Sequence, residues 1–372
     1  MNDLRCIGCG AKIQTVDKTK VGFTPASSLE KAGKNETEII YCQRCFKLKN
    51  YNEVMDTDLT SDDFLKILQQ IADTDALVVN IVDIFDFSGS IVTGLQRHIG
   101  GNDLIIAANK FDLLPKSVNK RKISHWMQRE LNDIGMNPLD VALISAVKGH
   151  GIDVLMTMIE KHRKGRNVYI VGCTNVGKST LINRIIKQFT DAKENIITTS
   201  SIPGTTLDMI EIALDDKSSL IDTPGIINEH QLVHYIKPVE LKIISPKKEI
   251  KPNVYQLNPE QTLFVGGVAR IDFVKGNRCS FVTHFSNDLK IHRTKLENAN
   301  SLWERHAGDM LNPIIASNDE PNELKKHVYH IKNKKTDIVI SGLGFITLPG
   351  ESQEVHVYVA DNVGVFLRDS IF

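Results

Sequence analysis

The run Gly172-Cys173-Thr174-Asn175-Val176-Gly177-Lys178-Ser179 follows the apolar stretch Val168 to Val171 and leads into the helical stretch Ser179 to Lys187. A G-x-x-x-x-G-K-S spacing between a strand and a helix constrains the domain around it more than any other feature of this chain. Its glycines let successive backbone N–H groups turn toward one point, where the helix N-terminus adds the positive end of its dipole. Gly172, Thr174, Asn175, Val176, Gly177, Lys178, Ser179 and Thr180 are therefore candidate phosphate-binding residues. Lys178 suits the β and γ oxygens of a nucleotide, and Ser179 suits Mg2+.

Around this loop the pattern alternates. Helical stretches at Asp62 to Asp73, Asn119 to Ile134 and Ile152 to His162 separate apolar runs at Ala76 to Val82, Leu104 to Ala108, Val141 to Ile144 and Val168 to Val171. Such alternation predicts an α/β domain, a mostly parallel sheet with helices on both faces. Asn109-Lys110-Phe111-Asp112 stands at the end of one apolar run, where ligands of parallel sheets bind. The Asp112 carboxylate accepts from the ring N–H and exocyclic amine of guanine, donors that adenine lacks at those positions. A site built this way rejects the wrong base by about 10⁴-fold, because a mismatch leaves buried polar groups unpaired. Ser145-Ala146 ends the next run, ahead of Gly149-His150-Gly151, and is read as a second base-contacting turn with the Ala146 N–H facing the guanine carbonyl oxygen.

Downstream of the phosphate loop, Asp222-Thr223-Pro224-Gly225 follows Leu220 and Ile221. Asp222 is expected to hold a Mg2+-bound water, and the Gly225 N–H to meet a γ-phosphate. Pro203-Gly204-Thr205-Thr206 lies between as a switch, with Thr206 favoured over Thr205 as the hydroxyl on Mg2+. These are the motifs of a protein that binds and hydrolyses GTP, but the base motifs precede the phosphate loop, so the domain is circularly permuted. Surface termini lying close together make such a cut tolerable.

Motif order, two N-terminal CxxC pairs and the run Asp83-Ile84-Phe85-Asp86-Phe87-Ser88-Gly89-Ser90 together resemble the YqeH family of circularly permuted ribosome-assembly GTPases, over essentially the whole chain. The resemblance implies GTP or GDP with Mg2+ as ligands and a C-terminal domain that binds RNA or protein. It also implies action on the ribosomal small (30S) subunit or its precursor, with rRNA contact. Lys178, Thr206, Gly225 and Asn175 are the candidates for catalysis. Ile226 stands where signalling GTPases carry a water-orienting glutamine, so slow intrinsic turnover is expected. Asn175 resembles the asparagine of GTPases that use K+ in place of an arginine finger, or it stabilises the loop turn. Asp83 and Asp86 either approach the nucleotide or cap a turn.

Cys6-x-x-Cys9 and Cys42-x-x-Cys45 supply four thiolates, a ligand set for structural Zn2+. With 45 basic and 45 acidic residues the net charge is zero, so any nucleic-acid contact must come from local patches. Three basic clusters follow Ile236: Lys237, Lys242, Lys247, Lys248 and Lys251; then Lys290, Arg293 and Lys295; then Lys325, Lys326, Lys332, Lys334 and Lys335. They imply a polarised surface or a solvated one. The expected division is a zinc module at 1–55, the GTPase domain at 56–236, and a C-terminal α+β domain at 237–372. The chain shows no membrane-spanning apolar run and no signal-like start, so a cytoplasmic location and no membrane partner are expected. Two other readings stand beside the assembly factor. One is a GTP-sensing scaffold with negligible hydrolysis, and the other a GTP-driven RNA-modification factor.

Overall fold

A computed structural model describes residues 12–16, 22–26, 29, 42–43, 61–190, 199–201, 210–237, 239–317, 320–321 and 324–372. The longer helices among them are α1 (Ser61–Ala72), α2 (Lys120–Asp133), α3 (Ile152–Arg163), α4 (Lys178–Thr190) and α5 (Ala299–His306). Two compact units divide the chain. The first gathers Met1–Val82, Val92–Asn109 and Met136–Ile227, and the second Asp83–Ile91, Lys110–Gly135 and Asn228–Phe372.

In the first unit seven strands form one sheet. They are β1 (Ala76–Asp83), β2 (Asp103–Asn109), β3 (Asp140–Leu143), β4 (Asn167–Gly172), β5 (Thr199–Ser201), β6 (Ile210–Ala213) and β7 (Ser219–Asp222). Their order is β3-β2-β1-β4-β7-β6-β5. The pairs β2 with β3, β1 with β4 and β4 with β7 are parallel, while β6 runs antiparallel to both its neighbours. All eight residues of β1 are buried, which explains its mainly apolar sequence, interrupted by Asn80 and ended by Asp83, since a central parallel strand is covered on both faces. The core joins Leu77, Val79 and Ile81 to Val168 and Ile170 of β4 and to Leu155 of α3 and Leu181 of α4. Starting the chain at β4 and appending β1 to β3 after β7 would restore the usual motif order without changing a strand's neighbours, so the permutation is a property of connectivity alone.

The second unit packs two antiparallel sheets. Its strands are β8 (Asn253–Leu257), β9 (Gln261–Val265), β10 (Ala269–Lys275), β11 (Cys279–Phe285), β12 (Ile291–Lys295), a short ribbon β13 (Ala316–Ser317) with β14 (Glu320–Pro321), β15 (Lys325–Ile331), β16 (Thr336–Ile340), β17 (Gly344–Leu348), β18 (Gln353–Val359) and β19 (Val365–Asp369). One sheet has the order β12-β9-β10-β18-β15 and the other β19-β16-β17-β11-β8. Strict alternation of burial along β18 marks one face turned to the core, where Val355 and Val357 join Leu263, Ile271, Phe273, Phe281 and Ile346.

Helix α2 starts at Asn119, whose Oδ1 accepts from the Arg121 and Lys122 N–H groups, the usual device for orphan donors at a helix start. It buries Ile123, Trp126, Met127 and Leu131, all in the second unit. The Trp126 Nε1–H donates to the Asp369 carbonyl at 2.9 Å, and its ring meets Phe87 edge-on at 5.2 Å. Truncating such a side chain to alanine costs about 3–5 kcal/mol.

Candidate nucleotide site

In the first unit, the loop after β4 is shaped by close approach. A Cβ on Gly172 would lie 2.7 Å from the Ile81 carbonyl oxygen, and Gly177 has φ of +88° with a Cβ position 2.4 Å from Asn109 Nδ2. Asn175 also sits in the left-handed region, at φ +63°, which asparagine tolerates better than most side chains. Lys178 is 8% exposed and donates to the Asp222 carboxylate and the Thr223 carbonyl oxygen. The sequence places Lys178 on phosphates and Asp222 near Mg2+. Here the two hold each other, a pair that keeps both buried charges compensated.

Asn109 joins the motifs expected to bind base and phosphate. Its Nδ2 donates to the Val176 carbonyl in the phosphate loop at 2.8 Å, and its Oδ1 accepts from the Ala146 N–H at 2.9 Å. The Ala146 N–H thus has a protein partner in this structure, where the sequence reading had it facing a guanine oxygen. The Ser145 Oγ accepts from Lys148 N–H at 3.1 Å and closes the same turn. A residue that sequence reasoning passed over supports it from below: Arg184 of α4 donates to the carbonyls of Ala146 and Val147 at 3.2 and 2.7 Å. The only sequence signal for Arg184 is its place six residues past Lys178, on the helix that the loop opens.

The D-x-x-G segment is zipped to the loop by its backbone. Ile226 N–H donates to the Gly172 carbonyl at 3.1 Å, and Thr174 N–H donates to the Ile226 carbonyl at 2.7 Å. The Ile226 side chain packs on the core of the first unit, so it neither donates nor accepts a hydrogen bond. Thr206 lies outside the described residues, as do Cys6, Cys9 and Cys45, while Cys42 is described and buried.

Lys110 and Asp112 follow Asn109 but are counted with the second unit. The Lys110 Nζ donates to Asp83 Oδ2 at 2.6 Å, and Asp83 Oδ1 accepts from the Phe85 N–H at 2.9 Å. Asp86 is 4% exposed; its Oδ2 accepts from Gln231 Nε2 at 3.0 Å and from the Gly342 N–H at 2.8 Å. Burial, reinforced by the Asp83 charge, pushes its carboxyl up to about 7. Asp83 therefore caps the turn that follows it, whereas Asp86 makes no side-chain bond to its own turn and instead ties Gln231 and Gly342 to it.

A cradle of backbone donors with a buried lysine at the carboxyl edge of a parallel sheet, tied by an asparagine to a base-binding turn that comes earlier in the chain, defines a circularly permuted P-loop GTPase. A family model described as a 50S ribosome-binding GTPase matches residues 167–257, and one described as YqeH-like, C-terminal, matches 278–371. The chain is 55% identical over 372 residues to the protein YqeH of Bacillus subtilis (strain 168), covering 100% of both chains. It belongs to the YqeH family. It is also 28% identical over 426 residues to NO-associated protein 1, chloroplastic/mitochondrial, of Arabidopsis thaliana, covering 98% of this chain and 76% of that one. Among solved structures, GNP-bound YlqF from T. maritima is 20% identical, with a TM-score of 0.30, covering 45% of this chain and 58% of that one.

Proposed function

We propose that this GTPase acts as an assembly factor of the ribosomal small subunit, touching rRNA and using hydrolysis to time its release. Family membership over the whole chain is the observation that carries the ribosomal reading. In the working site, Asn109, Lys110, Asp112, Ser145 and Ala146 recognise guanine. Gly172 to Thr180 cradle the phosphates, with Lys178 moving from Asp222 to the β and γ oxygens. Ser179, Asp222 and Thr206 are the oxygen donors suited to Mg2+, which supplies charge neutralisation when bound. Cys6, Cys9, Cys42 and Cys45 form the zinc module of residues 1–55, ahead of the GTPase portion 56–236 and the C-terminal portion 237–372. No described helix is long and apolar enough to cross a membrane; the cytoplasmic location we propose rests on the likeness to the bacterial relative.

Because Ile226 has no group for water, another agent must orient it. We assign this to K+ held by Asn175, or to the ribosomal partner. Equal single-turnover rates in sodium and potassium buffers would remove the first. The basic clusters support RNA contact in a modified form. Lys242, Lys247, Lys248, Lys251, Lys290, Arg293, Lys326 and Lys332 are exposed. The second and third clusters, however, touch β12 and β15, opposite edges of one five-stranded sheet. Four strand spacings of about 4.8 Å separate those edges, so they form two basic rims instead of one polarised face.

Co-sedimentation with separated 30S and 50S subunits, under GDP and under a non-hydrolysable GTP analogue, tests the reading. Nucleotide-dependent binding to 30S supports it. Binding to 50S alone, the subunit named in the description of the matched GTPase model, moves the target, and binding to neither sinks the ribosomal role.

A further inference from the structure

The second unit carries an open cavity of about 410 Å3 that the GTPase chemistry does not use. Small-molecule sites fall in this size range. Its lining includes Asn119 and Lys122 at the start of α2, Val282 and His284 of β11, Lys335 and Phe372. None of the side chains lining it is acidic.

Three observations bear on what it takes. Two lining residues carry flat rings: His284, backed by Phe345 at 4.4 Å and 15°, and Phe372, 4.9 Å from His284. Such π-surfaces favour a flat aromatic partner. His284 is 3% exposed, and its Nδ1 has no hydrogen-bond partner. Burial, with Arg368 and Lys335 nearby, pushes its pKa down to about 3, so the ring is neutral and offers one donor and one acceptor. A buried ring nitrogen left unpaired is costly, and a ligand group that pairs with it recovers that cost. Finally, two lysines, Lys122 and Lys335, are among its lining residues. Lys122 is exposed and makes no ion pair among the described residues. Lys335 Nζ donates one hydrogen bond, to the Phe372 carbonyl at 2.9 Å, which leaves two of its protons. The start of the fourteen-residue helix α2, the positive end of its dipole, also lines the cavity through Asn119 and Lys122.

We propose that this cavity binds one nucleotide unit, with its base on the His284 and Phe372 rings and its phosphate between Lys122 and Lys335. A free nucleoside monophosphate and an unstacked residue of an RNA strand present the same chemistry, stacking plus a phosphate charge. No residue of the phosphate loop lines the cavity. Only its RNA source rests on the function proposed above.

The full chain, loaded with GDP and Mg2+ so that the GTPase site is filled, is titrated with AMP, GMP, CMP and UMP by ligand-observed NMR. At least one binds, and the double variant Lys122→Ala/Lys335→Ala binds it about tenfold more weakly, through loss of two charged phosphate contacts. Both lysines are exposed, and unchanged GDP affinity confirms that the variant is folded. A labelled, unstructured RNA separates the sources. If it is displaced by the same monophosphate and weakened by the same variant, RNA is the source; if it does neither, the ligand is the free nucleotide. The proposal is overturned if no monophosphate binds the GDP-loaded protein, or if the double variant binds as well as the parent. The ribosomal reading fails by a different measurement, subunit co-sedimentation of the unmutated chain.

Discussion

Strands β1 and β4 lie side by side with Ile81 paired to Gly172, and both end in short runs rich in glycine and polar side chains, yet the two runs do opposite things. After β4 the chain forms the phosphate loop, where Lys178 is held by Asp222 and the Thr223 carbonyl and is proposed to pass to a ligand. After β1 the carboxylates of Asp83 and Asp86 are taken up by the protein itself, by Phe85, Lys110, Gln231 and Gly342. A ligand-binding run declares itself locally, because the ligand's chemistry dictates spacing. A structural run does not, because partners such as Gln231 and Gly342 sit more than a hundred residues from Asp86.

Substitutions can break that comparison. Lys178→Ala should lower single-turnover GTP hydrolysis by about 10²–10³-fold, the range for removing one preorganised electrostatic donor. Asp86→Ala should leave the rate within about twofold but lower the melting temperature, as expected when a buried hydrogen-bonded group is lost. An equal loss of rate at a temperature where both are folded would show that the Asp83 to Ser90 run is part of the catalytic machinery.

Next in size is Asn109→Ala, which removes the bonds to Val176 and Ala146 together. GDP should dissociate roughly 10- to 100-fold more readily, measured by fluorescent nucleotide exchange. An unchanged rate would mean that the base turn and phosphate loop are held together by other means.

Asp86 gives a pH signature. Its carboxyl is raised from 3.8 to about 7 in the folded chain, so the folded state binds the extra proton between those values. Stability from this group is fully present below pH 4 and is lost as pH rises through 7. Asp86→Asn mimics the protonated form. It should be more stable than the parent at pH 8, by about 1–3 kcal/mol, with the difference vanishing toward pH 4 in urea titrations. A pH-independent difference would show that this carboxyl is not raised. The smallest expected effect is that of Arg184→Ala, about threefold on GDP affinity, through slackening of the Ala146 and Val147 carbonyls. No change in affinity would show that the turn does not need that support.

The parallel sheet, the phosphate loop and the permutation were legible because period, spacing and motif order are local properties. Helix α2 was legible as a helix between Asn119 and Ile134, but nothing in its apolar spacing says that Trp126 reaches the Asp369 carbonyl. The tie between Asn109 and Ala146 was hidden too, since the same amide and N–H had been assigned to a ligand. Likewise the three basic clusters imply, from sequence, a polarised surface or a solvated one, and only the strand order β12-β9-β10-β18-β15 shows that two of them occupy opposite rims.

The double hydrogen bond of Asn109 has a consequence for how the nucleotide is captured. With base turn and phosphate loop already at fixed spacing, the disorder that binding would otherwise remove has been removed during folding. Guanosine and pyrophosphate offered separately each gain only half the site, and each loses its own freedom of translation. Joined in one molecule, they meet a second half-site at high effective concentration, so the affinity of GDP should far exceed the product of its fragments. The permuted chain therefore builds its pocket as one rigid caliper, although the two jaws come from segments read in the reverse of the usual order.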